Sequence, residues 1–171
     1  KDAGAYFAHL PKSAMTYPKE TLEEHVRLVN SCALQLIEVH RLDEVINKLV
    51  ADYDKGGDEL TSNYLKRLFI HTIVFHDFGK INEHFQLEKM KNDLFKGVLP
   101  GNSPIGSTHS VLGAYIYLTK HLHEIVVEYN GNPRLITACI YLSYSIFKHH
   151  SSRFTDDTLS TTNFDAFQAN Y

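Results

Sequence analysis

The sequence predicts an all-α domain, and three observations support this prediction. Apolar residues recur at spacings of three and four over several long stretches, which is the period of a helix buried along one face. Helix-capping residues precede these stretches and turn residues follow them. The 171 residues include only nine glycines and five prolines, which disfavours a turn-rich sandwich or barrel.

The first helix is predicted over residues 22–39, because Thr21 and Glu24 have the spacing of a capping box. His25 borders its apolar face. The predicted buried stripe consists of Leu22, Val26, Val29, Ala33 and Leu36 or Ile37.

A second helix is predicted to end at the turn 54–58, and a third to begin near Leu60. Gly79 is interpreted as the left-handed residue that ends this third helix. His76 and Asp77 would then occupy the last turn of a buried helix.

The remaining elements are a shorter polar helix over residues 81–95 and a loop over 97–107. A further helix is predicted to begin near Ser107. The last long helix is predicted to follow Asn132 as N-cap, with Pro133 as its first residue.

Length and composition indicate one folded domain over residues 1–150, followed by a polar tail or loop over 151–171. Hydrophobic residues make up 43% of the chain, which supplies a core and excludes global disorder. Cys32 and Cys139 lie within apolar helical patterns and are expected to be buried thiols. With no long apolar run and no signal-peptide core, a cytoplasmic protein is expected.

The chain contains eleven histidines, more than occasional packing requires. Several lie on or at the ends of predicted helices beside the buried stripes, where the converging faces of a bundle bring distant residues together. Burying them without partners would cost several kcal/mol, whereas divalent ions satisfy them all. A central metal site is therefore predicted from His25, His76, Asp77, His109, His149 and His150.

Other histidines are expected outside the site. His71 is predicted to face solvent or pack sideways, and His84, His121 and His123 are predicted to lie at the surface.

The motifs resemble a known family. The run from His76 to Lys80 reads HDFGK and is followed by Phe85-Gln86, then by an isolated histidine before Ser110 and a final His-His doublet. This pattern is similar to the HD nuclease domain of the type I CRISPR-associated helicase-nuclease. That family belongs to the HD superfamily of metal-dependent phosphohydrolases, and the resemblance covers residues 6–150.

The resemblance implies an all-α HD-domain bundle whose central metal site hydrolyses single-stranded DNA in CRISPR interference. Two metal positions would share Asp77 as a bridge. The first would be held by His25, His76 and Asp77, and the second by Asp77, His109, His149 and His150.

Two further residues are candidates at this site. Lys80, one turn beyond the His-Asp pair, is placed to neutralise charge that develops on the phosphate. Ser110 is expected to support the neighbouring ligand by a hydrogen bond.

The family also uses a downstream aspartate for its first metal. Asp156, Asp157 and Asp165 are the later aspartates, in a sequence context typical of a loop. The chain is therefore expected to be part of a longer protein, with an incomplete first metal site.

An imidazole-rich site favours one or two transition ions such as Mn, Fe, Co or Ni, with Zn or Mg as alternatives. The net charge of −3 provides no basic surplus for gripping DNA. Delivery by a CRISPR helicase domain or subunit, working with an RNA-guided surveillance complex, is expected, with no membrane partner.

Two alternatives remain open. One is an HD phosphohydrolase acting on nucleotides or cyclic dinucleotides, against which Phe85-Gln86 and the His-His doublet argue. The other is a catalytically defective HD docking module, which the missing downstream aspartate favours.

Overall fold

The computed structural model describes residues 5–11, 18–97 and 107–150. Within these ranges the molecule is an all-α bundle with one small antiparallel hairpin, as predicted. The elements are β1 (Phe7–His9), β2 (Glu20–Thr21), α1 (Leu22–Val39), α2 (Leu42–Asp54), α3 (Glu59–Phe75), α4 (Glu83–Glu88), α5 (His109–Glu128) and α6 (Pro133–Lys148).

The predicted caps set the helix starts. Thr21 and Glu24 form the reciprocal capping box at the start of α1. Asn132 caps α6 through its side-chain oxygen, with Pro133 at the first helical position. The predicted range of the first helix, 22–39, is confirmed.

The core lies between α3, α5 and α6. Tyr117 at its centre is fully buried and donates its hydroxyl hydrogen to the backbone oxygen of Leu68, 2.9 Å away. Cys139 is buried as expected. The other large, fully buried apolar side chains include Leu112, Ile125, Leu135 and Ile146.

Helix α1 is less buried than its apolar stripe predicts. Leu22 is its one buried residue, Leu36 is 54% exposed, and Cys32 is exposed. The prediction of a buried Cys32 is therefore wrong. The reason is that α1 packs on the outside of the core, so that only a narrow edge of the helix is covered.

The interpretation of Gly79 is also wrong. Helix α3 ends at Phe75, and Gly79 lies in a 3₁₀ turn, Phe78–Ile81, without a left-handed backbone. A Cβ atom here would overlap the backbone oxygen of His109. The glycine is required because the turn and the start of α5 touch backbone to backbone.

The polar stretch 81–95 forms the short helix α4 and a second 3₁₀ turn, Asp93–Phe95, rather than one helix. Gln86 exchanges two hydrogen bonds of 2.8 Å with the backbone of Phe7 and so anchors β1. Most of the predicted loop 97–107, and the tail 151–171 with its three aspartates, lie outside the described residues.

No helix in the described ranges has both the length and the apolar character that a bilayer crossing requires.

Candidate metal centre

The ends of four helices meet at one point of the bundle. They are the start of α1, the end of α3, the start of α5 and the end of α6. Potential ligand atoms approach within 4.8 Å of one another in two adjoining groups that share one aspartate. The groups are His25, His76 and Asp77, and Asp77, His109, His149 and His150.

Asp77 lies at the centre of the cluster with its side chain 5% exposed. Its Oδ2 is 3.0 Å from Nε2 of His25 and 3.3 Å from Nε2 of His76. Its Oδ1 is 3.3 Å from Nε2 of both His109 and His149. Each carboxylate oxygen therefore faces a different pair of imidazoles.

His150 lies at the rim of the second group. The residue is exposed, and its Nε2 is 2.9 Å from Nε2 of His109. The ring of His109 also packs edge-on against Phe85, with ring centroids 4.7 Å apart. The Phe85-Gln86 motif thus supports both this ligand and the N-terminal strand.

Helix ends fix the orientation of two imidazoles. Nδ1 of His76 is 2.7 Å from the backbone oxygen of Ile73, and Nδ1 of His149 is 2.6 Å from that of Ile146. A carbonyl oxygen only accepts, so each Nδ1 carries the hydrogen. Each Nε2 is left with a lone pair directed toward Asp77, the form in which histidine binds metal.

Three buried atoms of the cluster form no hydrogen bond among the described residues: Nε2 of His25, Oδ1 of Asp77 and Nε2 of His149. Nε2 of His149 lies 3.3 Å from Oδ1 of Asp77, but the two atoms do not form a hydrogen bond. Unsatisfied buried nitrogen and oxygen atoms are costly unless another partner takes them. Imidazole nitrogens around a carboxylate are a suitable ligand set for a divalent transition ion, so the residues fit the implied metal.

The protonation states also suit metal binding. Burial lowers the pKa of His25 and of His109, and burial with the neighbouring His149 lowers the pKa of His150 to about 4. Burial raises the pKa of Asp77, but its contacts with the imidazoles and Lys80 outweigh this and hold the pKa well below its usual range. Metal ligands need neutral imidazoles and an ionised carboxylate.

The pKa of His76 moves in the opposite direction. Its contact with the Asp77 carboxylate raises this pKa above the usual value. A cation at the centre would compete with a proton for the same nitrogen.

Lys80 lies beneath the cluster rather than facing solvent. Its side chain is 4% exposed, and Nζ is 2.8 Å from Oδ2 of Asp77 and 3.1 Å from the backbone oxygen of Ala8. The role in phosphate neutralisation stays a prediction. Ser110 is half-buried in the first turn of α5, and its hydroxyl forms no hydrogen bond with the described residues, so its supporting role also stays a prediction.

Glu20 was missed by the sequence analysis. Its Oε2 is 2.7 Å from Nδ1 of His9 and 3.3 Å from Nδ1 of His25, and the three residues form a third group of potential ligands. No periodicity signals this residue, because it lies in the hairpin before the capping residue of α1.

The surface position predicted for His121 is wrong. His121 is fully buried, with Nε2 3.1 Å from Nδ1 of His71 and Nδ1 3.0 Å from the hydroxyl of Tyr64. His71 is half-buried by this contact, and His123 is exposed as expected. The pair forms because the polar groups of α3 and α5 satisfy each other across the interface.

A family model described as "Cas3, HD domain" matches residues 12–170. The chain belongs to the Cas3 HD-domain family. This confirms the resemblance carried by the HDFGK run and the His-His doublet, and it makes the chain an HD-type metal-dependent nuclease or phosphohydrolase. No curated protein and no solved structure matches the chain.

Proposed function

We propose that this Cas3 HD domain is a metal-dependent nuclease that hydrolyses phosphodiester bonds of single-stranded DNA during CRISPR interference. The observation that carries the proposal is Asp77, whose two oxygens each face a separate pair of imidazole nitrogens. Such a carboxylate is arranged to bridge two adjacent cations, and two-metal centres are typical of enzymes that cleave phosphodiesters.

The residues of the cluster would form two metal-binding positions. His25 and His76 would hold a first ion with Oδ2 of Asp77. Divalent ions bound at the centre would supply Lewis acidity toward a phosphate oxygen and lower the pKa of water. The second ion would be held by Oδ1 of Asp77 with His109, His149 and His150.

The metal and the partners follow from the chemistry of the chain. The nitrogen-rich donor set favours Mn, Fe, Co or Ni over Mg, which prefers oxygen ligands. The net charge of −3 favours delivery of the DNA by a CRISPR helicase domain or subunit and its RNA-guided surveillance complex. We propose the cytoplasm as the place of action.

The test is a cleavage assay with the purified chain loaded separately with each candidate metal. Substrates are single-stranded and duplex DNA, single-stranded RNA, and a panel of nucleotides and cyclic dinucleotides. We expect single-stranded DNA to be cut with Mn, Co, Ni or Fe. We expect Asp77→Asn, which keeps the size of the side chain but removes its charge, to abolish cutting with every metal.

His123→Gln is the matched control, because His123 is exposed and lies outside the cluster. This variant should cut like the wild type. Hydrolysis of cyclic dinucleotides without cleavage of DNA would replace the proposal with the phosphohydrolase alternative. A folded chain that binds no metal at micromolar concentration would support the docking module instead.

A further inference from the structure

Five polar side chains form a closed ring beside the first group of ligands. They come from the hairpin, from the start of α1 and from the segment after α3. Nζ of Lys80 lies 2.8 Å from Oδ2 of Asp77 and 3.3 Å from Nε2 of His9. Oε2 of Glu20 lies 2.7 Å from Nδ1 of His9 and 3.3 Å from Nδ1 of His25. Nε2 of His25 closes the ring, 3.0 Å from Oδ2 of Asp77.

Lys80 sets the direction of the hydrogen bonds in this ring. An ammonium group has three donors and no acceptor. Its near neighbours are three acceptors: Oδ2 of Asp77, the backbone oxygen of Ala8 and Nε2 of His9. Nε2 of His9 therefore accepts, and the hydrogen of that ring is on Nδ1, which donates to Glu20.

The carboxylate of Glu20 in turn determines which nitrogen of His25 carries the hydrogen. An ionised carboxylate only accepts, so the facing Nδ1 of His25 is favourable when it carries a hydrogen. Nε2 of His25 then keeps its lone pair, 3.0 Å from Oδ2 of Asp77. Nε2 forms no hydrogen bond among the described residues, which agrees with a lone pair on this nitrogen that is free to bind a cation.

The position of His25 explains why an external acceptor is needed. His76 and His149 lie at helix C-termini, where free backbone carbonyls hold their Nδ1 hydrogens. His25 lies in the first turn of α1, where the free backbone groups are N–H donors. The helix itself therefore offers no free carbonyl to this imidazole.

We propose that Glu20 is a positioning residue that, together with His9, fixes His25 in the tautomer with hydrogen on Nδ1. Glu20 thus does for His25 what backbone carbonyls do for the histidines of α3 and α6. This inference rests on the proposed metal centre and adds the hairpin to it. Loss of an outer partner of a ligand histidine lowers metal affinity by roughly 10- to 100-fold.

The test is ¹⁵N NMR of histidine-labelled, metal-free protein at pH 7.5, which distinguishes the two imidazole tautomers. We expect hydrogen on Nδ1 of His25 in the wild type. Glu20→Ala and Glu20→Leu both remove the acceptor and should shift His25 toward the other tautomer. Glu20→Gln keeps an acceptor oxygen and should restore most of the wild-type signal.

Glu23→Gln is the matched control. The substitution also removes one negative charge near the start of α1. The wild-type Glu23 side chain, however, pairs with Arg27 and is half exposed. The substitution should leave the tautomer unchanged. Calorimetric titration with Mn should then show affinity roughly 10- to 100-fold weaker in Glu20→Ala or Glu20→Leu, whichever folds, and unchanged in Glu23→Gln.

An unchanged Nδ1–H tautomer in the variants without an acceptor would overturn the inference, as would hydrogen on Nε2 of His25 in the wild type. A loss of thermal stability with unchanged tautomer and affinity would assign Glu20 a structural role only. Because the tautomer is read without metal or DNA, a wild type that cuts no DNA would count against the proposed function alone.

Discussion

Asp77 and Lys80 share one buried corner of the cluster, where the ammonium group contacts the carboxylate that would also hold a cation. The Lys80 side chain is 4% exposed and reaches Asp77, the backbone of Ala8 and His9. Removing one partner of a buried ion pair leaves the other charge uncompensated. Lys80 therefore stabilises the metal-free centre.

Lys80→Met removes this charge while keeping the length of the side chain. We expect the metal-free variant to lose about 3 kcal/mol of unfolding free energy. Added Mn should stabilise the variant more than the wild type, because the metal replaces the positive charge that the variant lacks next to Asp77. Thermal unfolding with and without metal measures both effects.

Lys96→Met is the control, because Lys96 forms an i,i+3 pair with Asp93 in which both side chains are largely exposed. Exposed pairs contribute little, so stability should change little. Equal metal-free stability of Lys80→Met and the wild type would show that Lys80 does not support Asp77.

Residues of the cluster differ in how well the sequence predicts them. His76 and His149 were found because each follows an apolar helical stripe to its end. Glu20 and the buried position of His121 were not found, because the residues that they contact lie on other elements and leave no periodic signal in the sequence. Contacts that depend on how two elements cross cannot be read from spacing along one of them.

At the level of elements, the site depends on the close crossing of the 3₁₀ turn and α5. Gly79 allows the backbones to touch, and Gly113 lies across from it. A Cβ atom added to Gly113 would lie 3.2 Å from the backbone oxygen of Phe75 and 3.3 Å from the backbone nitrogen of Gly79. This crossing sets the distance between Asp77 and His109. The starts of α1 and α6 were predictable from their caps. The contact at Gly79 was not, because a glycine looks the same in sequence whether it ends a helix or makes room for one.

Gly79→Ala should separate the turn from α5. We expect a loss of roughly 3 kcal/mol or more in unfolding free energy, because the added methyl group overlaps backbone that cannot move aside. Denaturant unfolding measures the loss. Gly113→Ala is the milder comparison, since its added atom is only slightly too close to its neighbours, and equal stability of Gly79→Ala and the wild type would contradict the crossing described.

The contact between His71 on α3 and His121 on α5 predicts how the free energy of unfolding depends on pH. Burial and the neighbouring His71 lower the pKa of His121 to about 4 from an ordinary 6.5. Between these values the unfolded chain binds a proton that the folded chain does not, so stability is full above pH 6.5 and is lost as the pH falls toward 4.

His121→Gln removes this proton uptake. We expect the loss of stability between pH 7 and pH 5 to be about 2 kcal/mol smaller in this variant than in the wild type. Denaturant unfolding at the two pH values measures the difference. The exposed His123→Gln should follow the wild type, and the same pH dependence in all three proteins would contradict a buried, neutral His121.

For the whole molecule, family, fold and charge together limit the function. The chain is an all-α Cas3 HD domain with two ligand groups around one carboxylate and a net charge of −3. The family and bundle were predictable because the HDFGK run, the His-His doublet and the helical periodicity can all be read from the sequence. The downstream aspartate was not, because Asp156, Asp157 and Asp165 lie in a polar stretch without helical periodicity, and all three fall outside the described residues.

The most direct test of the central claim is anomalous scattering from crystals of the chain soaked in Mn. The account predicts one or two peaks within about 2.3 Å of the Asp77 carboxylate and the surrounding Nε2 atoms. Peaks confined to other parts of the surface, or none at saturating Mn while the six side chains remain clustered, would contradict it.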